Sequence, residues 1–325
     1  MYTIKELHTF VNRGLASLNF NIEPTELYAP LGYMISIGGK RLRPLTCLMA
    51  YNLFSDKIEK QILNPALALE IFHGFTLIHD DIMDKADIRR GQPTVHKKWN
   101  NNIAILSGDV MSIKAYELLS TCPQDKLPEA LSLFTKTAAQ VCEGQQYDMN
   151  FENIPLITMD EYLSMIGLKT AVLIACSAKM GALIAGADQK TCNTIYDFAY
   201  TLGIAFQIQD DYFDTFGQSN IFGKNIGGDI MNNKKTWLLV ETFKRINPAD
   251  KERLNYLLSL GNDSAQEKIE GMQELYIKSG VKEAAEEEIA NYHKKALEII
   301  NTLNLTEAQK EQLYEYANML IKRNK

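Results

Sequence analysis

The chain is 325 residues long, 46% hydrophobic and 23% charged, with a formal net charge of −6. That length and balance allow a sizeable buried core and exclude a disordered, collagen-like or coiled-coil chain, while the mild acidity argues against broad nucleic-acid binding. Five cysteines lie scattered at Cys47, Cys122, Cys142, Cys176 and Cys192 without a CxxC pair. They indicate neither a disulfide framework nor a zinc knuckle and fit a reducing, cytoplasmic setting.

Residues 1–10 contain no apolar run of the kind that directs secretion. From 66 to 84, Leu67, Ile71, Gly74, Phe75 and Ile78 form one broad helical stripe. Short breaks are expected at 121–128, 150–158, 216–228 and 261–264. The most membrane-like stretch, 168–187, contains Lys169 and Lys179, and its small residues suit close helix packing, so no integral membrane segment is expected. No proline falls between Pro155 and Pro248, and there Ile195, Phe198, Ala199, Leu202, Ala205 and Phe206 step by three and four. Residues 265–325 are charged and amphipathic, with Glu286, Glu287 and Glu288 set against Ile289, Ala296, Ile299 and Ile300. No strand series and no hairpin signal stand out. The pattern predicts an all-α protein of about ten or more helices, and without a long linker 1–325 reads as a single domain.

Two apolar helical runs end in the same way. Asp80-Asp81-Ile82-Met83-Asp84 closes the first, and Asp210-Asp211-Tyr212-Phe213-Asp214 closes the second. In each, the first and last Asp are i and i+4 and share a helix face, where like charges repel by a few tenths of a kcal/mol. One such cluster would read as a solvated acidic helix end; a matched pair implies a neutralising partner. Carboxylate oxygens select a hard cation, and Mg²⁺ is held by one or two carboxylates with substrate phosphates completing its shell. The glycine and glutamate pattern of a Ca²⁺ hand is missing.

Cations follow each cluster: Arg89-Arg90-Gly91 after the first, and Lys224, Lys234 and Lys235 after the second. Upstream stands Gly38-Gly39-Lys40-Arg41-Leu42-Arg43-Pro44, in which glycines let the backbone approach a ligand and Lys and Arg offer a point charge and a fork. Carboxylates hold a diphosphate only through a metal, whereas Lys and Arg hold one directly. Both sets together fit two diphosphates, one bound each way.

The sequence resembles the short-chain trans-isoprenyl diphosphate synthases, the polyprenyl synthetase family that includes the farnesyl and geranylgeranyl diphosphate synthases. The matching pieces are GGKRLRP (38–44), EIFHGFTLIHDDIMD (70–84), RRGQPTVH (89–96), LSGDV (106–110), GQQYDM (144–149), KT (169–170), FQIQDDYFD (206–214) and FGKNIGGDI (222–230). The resemblance implies a helical bundle of the isoprenoid synthase type with a central active-site cavity. It also implies a homodimer, three Mg²⁺ ions, and as substrates isopentenyl diphosphate and an allylic diphosphate (dimethylallyl, geranyl or farnesyl). Asp80, Asp84, Asp210 and Asp214 match metal ligands. Arg89, Lys169, Lys224 and Lys234 match the grip on the allylic diphosphate, and Lys40, Arg43, His73 and Arg90 the grip on isopentenyl diphosphate. Thr170 and Gln207 match polar groups that face the developing cation.

Helical spacing agrees with these roles. His73 lies two turns before Asp80, and Gln207 lies three residues before Asp210 and seven before Asp214. His79 fits no such role and reads as a core histidine; Asp81 and Asp211 fall off the ligand axis and read as helpers. The product should be set by what blocks the growing tail below Asp80. Phe75 and Phe72 lie about 7 and 12 Å before it along the axis, and either could form the floor. Thr76 stands where animal-type farnesyl enzymes carry a second aromatic. The product is expected to be farnesyl or geranylgeranyl diphosphate, with a lean to the longer. Alternatives are a class I terpene cyclase and a non-catalytic subunit of a heteromeric synthase; the intact second DDxxD argues against both. The basic residues Lys322, Arg323 and Lys325 resemble family tails that close over the isopentenyl site, and read equally as a solvated terminus.

Overall fold

A computed structural model describes residues 1–217 and 227–321. Among them are sixteen α-helices and one two-residue ribbon, so the all-α expectation holds. In chain order the helices are α1 (Ile4–Ser17), α2 (Thr25–Ser36), α3 (Leu42–Asn52), α4 (Lys60–Met83), α5 (Val95–Lys98), α6 (Asn101–Leu119), α7 (Leu127–Glu152) and α8 (Met159–Ile166). A π-helical turn, Gly167–Ala171, leads into α9 (Val172–Ile184). There follow α10 (Gln189–Phe216), α11 (Gly228–Met231), α12 (Trp237–Arg245), α13 (Pro248–Ser259), α14 (Ala265–Lys278), α15 (Val281–Thr302) and α16 (Glu307–Ile321). The predicted breaks at 121–128 and 150–158 lie between helices except for 127–128 and 150–152, which belong to α7; 261–264 forms a short 3₁₀ turn, Asn262–Ser264, and most of 216–228 lies outside the described residues.

Local chemistry starts the helices. Thr3 with Glu6 and Thr158 with Glu161 form reciprocal capping boxes at α1 and α8, and Asn247 caps α13 ahead of Pro248 at its first position. One expectation needs correction. Strands β1 (Ile88–Arg89) and β2 (Gln92–Pro93) pair antiparallel across a two-residue turn. Arg90 and Gly91 both take positive φ there, 53° and 74°. That is the tight hairpin geometry an X-Gly pair supports, and the ribbon is too short to carry an alternating pattern.

The helices gather into two compact units. The first comprises Met1–Thr137, Leu173–Asp197 and Leu303–Leu313. Its centre is α4, which packs on α3 and α6 and buries Leu67, Ile71 and Phe72. The approach of α3 to α9 is backbone-close: a Cβ on Gly181 would lie 2.0 Å from the Cys47 carbonyl oxygen. The second comprises Ala138–Val172, Phe198–Thr302 and Tyr314–Lys325, with a core that includes Tyr162, Ile208, Trp237, Leu254 and Tyr276. Lys60–Met83 and Met159–Ile184 are long and apolar enough to cross a membrane by length and composition; their apolar windows are 61% and 83% buried inside the protein, which accounts for that character.

Candidate active site

In the first unit, α4 delivers the first aspartate cluster at its C-terminal end. Asp84 is the C-cap and exposed, Asp80 is partly exposed, and Asp81 turns inward at 2% exposure, off the face that Asp80 and Asp84 share. The Asp81 carboxylate accepts from Arg89 Nε at 2.9 Å to both oxygens and from Nη2 at 2.7 Å, so it holds the guanidinium side-on.

The other cations of this unit gather near His73. Arg90 Nη1 donates to the Gly38 carbonyl, which ties the hairpin turn to the glycine loop. Burial, reinforced by Arg43, Arg90, Arg89 and Arg41, holds the His73 imidazole well below its usual value, so it is neutral at physiological pH. Lys40 is exposed on the loop. Arg41, not singled out from sequence, is buried and pairs with Glu70 at 2.8 Å. It takes positive φ (50°) as the left-handed N-cap of α3, between Lys40 and Arg43 in the chain.

Below the cluster, Phe72 is 2% exposed and packs edge-on against Phe134, with centroids 5.2 Å apart. Phe75 is only partly buried and lies 5.3 Å from Phe72. Thr76 donates its hydroxyl to the His73 carbonyl at 2.9 Å. His79 does more than fill the core: its ring meets Phe75 at 4.8 Å, and its Nε2 lies 3.1 Å from the Ile105 carbonyl oxygen.

In the second unit, the other cluster occupies the last turns of α10. Asp210 is partly exposed and Asp214 Oδ2 accepts from the Asp229 backbone N–H at 2.9 Å. Asp211 is buried and accepts from Tyr162 Oη (2.7 Å), the Trp237 N–H (2.9 Å) and Gln207 Nε2 (3.0 Å). Burial, with Asp210 adding to it, raises this carboxyl against the pull of those three donors. Thr170 Oγ1 donates to Gln207 Oε1 at 2.8 Å, so these two groups meet.

Lys169 and Lys234 also come together, on an acid that sequence reasoning left without a role. Lys169 Nζ lies 2.7 Å and Lys234 Nζ 3.5 Å from Asp148 Oδ2, and Lys234 Nζ is 2.7 Å from Glu152 Oε1. Burial alone would raise Asp148, yet the two lysines outweigh it and its carboxyl sits below the usual range. The signal was available: Asp148, inside the GQQYDM segment, and Glu152, just beyond it, are i and i+4. Lys224 and the basic residues 322–325 lie outside the described residues.

Glycines set the lysine's position. Lys169 and Thr170 sit on the π turn, where one extra residue per turn redirects side chains. A Cβ on Gly144 of α7 would lie 2.3 Å from Lys169 N, and one on Gly203 of α10 would lie 2.7 Å from Ala171 Cα. Backbone cannot retreat as a flexible side chain can. Gly144→Ala is therefore expected to lower kcat about 10²-fold by shifting Lys169 and Thr170 by a fraction of an ångström or more. Steady-state kinetics on the folded variant checks this.

The acidic clusters suit a hard cation for a reason beyond charge count. Both lie at helix C-termini, the negative end of the macrodipole, and neither helix has a basic residue in its last turn. Among the described residues no three His, Cys, Asp or Glu side chains are gathered as a closed metal cage. Carboxylates offered in pairs match Mg²⁺, which leaves much of its shell to water and phosphate.

This helical scaffold, with acidic helix ends and basic clusters, is that of a prenyltransferase. A family model for polyprenyl synthetase matches residues 24–276. The geranylgeranyl diphosphate synthase of Saccharolobus solfataricus is 36% identical over 332 residues, covering 98% of this chain and 99% of that protein. A crystal structure of a geranylgeranyl pyrophosphate synthase overlays with a TM-score of 0.94 at 42% identity, over 100% of both chains. A polyprenyl synthase from Caulobacter crescentus, complexed with calcium and isoprenyl diphosphate, overlays with a TM-score of 0.87 at 27% identity, over 99% of this chain and 96% of that one. The chain belongs to the polyprenyl synthetase family and is a short-chain prenyltransferase with the all-α isoprenoid synthase fold. The family is magnesium-dependent and uses isoprenyl diphosphates.

Proposed function

We propose that the protein joins isopentenyl diphosphate head-to-tail to an allylic diphosphate, releases pyrophosphate, and makes geranylgeranyl diphosphate as its main product. The matched aspartate pairs at the negative ends of α4 and α10 support this most strongly. In this reading the whole chain acts as one catalytic domain. Asp80, Asp84, Asp210 and Asp214 hold Mg²⁺, three ions in all. Bound magnesium supplies Lewis-acid neutralisation of the leaving group's charge.

Arg89, Lys169, Lys224 and Lys234 bind the allylic diphosphate. Asp81 occupies the Nε edge of Arg89, so Nη1 is the donor Arg89 turns to that ligand. Lys40, Arg43, His73 and Arg90 bind the isopentenyl head. The allylic C1–O bond breaks with its electron pair leaving on the diphosphate. Positive charge develops on the allylic carbons, and Thr170 and Gln207 offer it oxygen dipoles without a strong nucleophile. The isopentenyl double bond supplies the electrons of the new C–C bond. The proton then lost goes to the departed pyrophosphate, and no side chain is assigned as base.

Exposed Ile105, Leu106 and Ile113 on α6 give an apolar face for a second copy, in keeping with a homodimer. Five cysteines present as thiols fit a cytoplasmic setting. Buried Phe72 belongs to the core, and half-open Phe75 is the floor of the tail cavity. Phe75→Ala is expected to lengthen the main product by at least one isoprene unit, read by mass; an unchanged product rejects Phe75 as the floor.

The test of the function is an incubation of purified protein with Mg²⁺, isopentenyl diphosphate and each allylic primer. Condensed product is expected only when both substrates are present. Hydrocarbon from the allylic diphosphate alone would indicate a cyclase, and no turnover with both a non-catalytic subunit.

A further inference from the structure

We propose that Tyr162, acting through Asp211, is a positioning residue that fixes which end of the Gln207 amide faces Thr170 and anchors the segment that carries Lys234. The inference rests on the functional reading above. Tyr162 is 1% exposed on α8, and its hydroxyl donates to the Asp211 carboxylate alongside the Gln207 amide and the Trp237 backbone N–H. A buried tyrosine needs some partner for its hydroxyl. The choice of this partner is what carries function, because the same carboxylate serves two other elements.

One of those elements is α10. The two ends of a glutamine amide are nearly alike in shape and opposite in polarity, so neighbours decide its orientation. The Asp211 carboxyl group serves as acceptor on both oxygens, taking the Tyr162 hydroxyl and Trp237 N–H on Oδ2 and the Gln207 amide on Oδ1. Asp211 Oδ1 therefore draws the NH₂ of Gln207 to itself, and Oε1 is left on the side where Thr170 Oγ1 donates to it. With the amide so turned, an oxygen and not an N–H is presented where positive charge develops. A reversed amide would turn the wrong end of its dipole towards that charge.

The other element is the start of α12. Asp211 Oδ2 takes the Trp237 N–H, two residues beyond the Lys234–Lys235 pair, while Lys234 Nζ rests between Asp148 and Glu152. One buried carboxylate thus links a cation-facing amide to a diphosphate-binding lysine. Tyr162 braces that carboxylate through the oxygen that Gln207 leaves free, Oδ2 rather than Oδ1. No sequence motif points to it, since its partner is 49 residues away.

The variant Tyr162→Phe keeps the ring and removes the one donor. Its kcat is expected to fall about ten-fold, with KM for both substrates within about two-fold of wild type. The discriminating readout is a double-mutant cycle with Thr170→Val. If Tyr162 works through the Asp211–Gln207–Thr170 chain, the same change in the Thr170→Val background costs less than about three-fold. A wild-type kcat in Tyr162→Phe overturns the proposal, and so does an equal loss in both backgrounds, which would mark a hydroxyl acting independently of Thr170. Should Tyr162→Phe fail to fold, Asp211→Asn preserves shape and leaves one acceptor for donors on both oxygens; undiminished kcat there also overturns it. A wild-type enzyme that forms no condensed product defeats the functional reading instead. Loss of activity in Gln207→Leu beside an unaffected Tyr162→Phe defeats this inference alone.

Discussion

Asp80→Ala is expected to lower kcat/KM by about 10³-fold or more while the free protein unfolds at the same temperature or slightly higher. The two effects have opposite signs because a carboxylate placed to hold Mg²⁺, as proposed above, is costly without it. It stands four residues before Asp84, at the end of a helix whose dipole is negative there. Each of those features destabilises the free chain by a few tenths of a kcal/mol. With the metal and diphosphate bound, the sign reverses: Lewis-acid stabilisation of the departing group is worth several kcal/mol, and each 1.36 kcal/mol is ten-fold in rate. Kinetics reads the loss. A thermal-shift titration with Mg²⁺ and inorganic pyrophosphate separates it from misfolding: stabilisation is expected for wild type and is lost in the variant. A variant that keeps wild-type turnover would remove Asp80 from the site.

The features most legible in the sequence are those carried by spacing within one helix. Asp80 and Asp84 share the outward side of α4 while Asp81 turns in, and Asp211 turns in on α10, as i and i+4 geometry requires. Gln207 and Thr170 meet, and Lys169 and Lys234 share one neighbourhood. What escapes a reading of the sequence is partners distant along the chain and positions fixed by absence of a side chain. Asp148 is 21 residues from Lys169, and no periodicity links them. Glu70 and Arg41 both lie inside recognised segments, yet their pairing depends on how α3 meets α4. Gly144 and Gly203 approach the π turn at Lys169 so closely that neither has room for a Cβ, which no propensity scale records. His79 reads as core filling because a ring contact with Phe75, four residues earlier, leaves no mark distinct from an apolar stripe.

The largest stability effect is expected at Glu70, outside the reacting groups. Glu70 is 4% exposed and Arg41 8% exposed, and they meet at 2.8 Å. Glu70→Ala leaves the guanidinium buried without its counter-charge, a loss of about 3–5 kcal/mol. A domain's whole stability is only about 5–15 kcal/mol, so a large part of it is at stake. Urea unfolding is expected to show a lower midpoint with an unchanged slope. Replacing both partners, as Arg41→Met with Glu70→Leu, should recover much of the loss, because two apolar groups have no charge to desolvate. Recovery should stop short of wild type, since Arg41 Nη2 also donates to the Ile35 carbonyl and that acceptor loses its partner. Function should separate from stability in the same pair of variants. Arg41 forms the left-handed turn between Lys40 and Arg43, and Glu70 tempers the basic surroundings of Arg90. The restabilised double variant is therefore expected to keep a raised KM for isopentenyl diphosphate. If KM returned to normal along with stability, the buried pair would be a brace for the fold and nothing more.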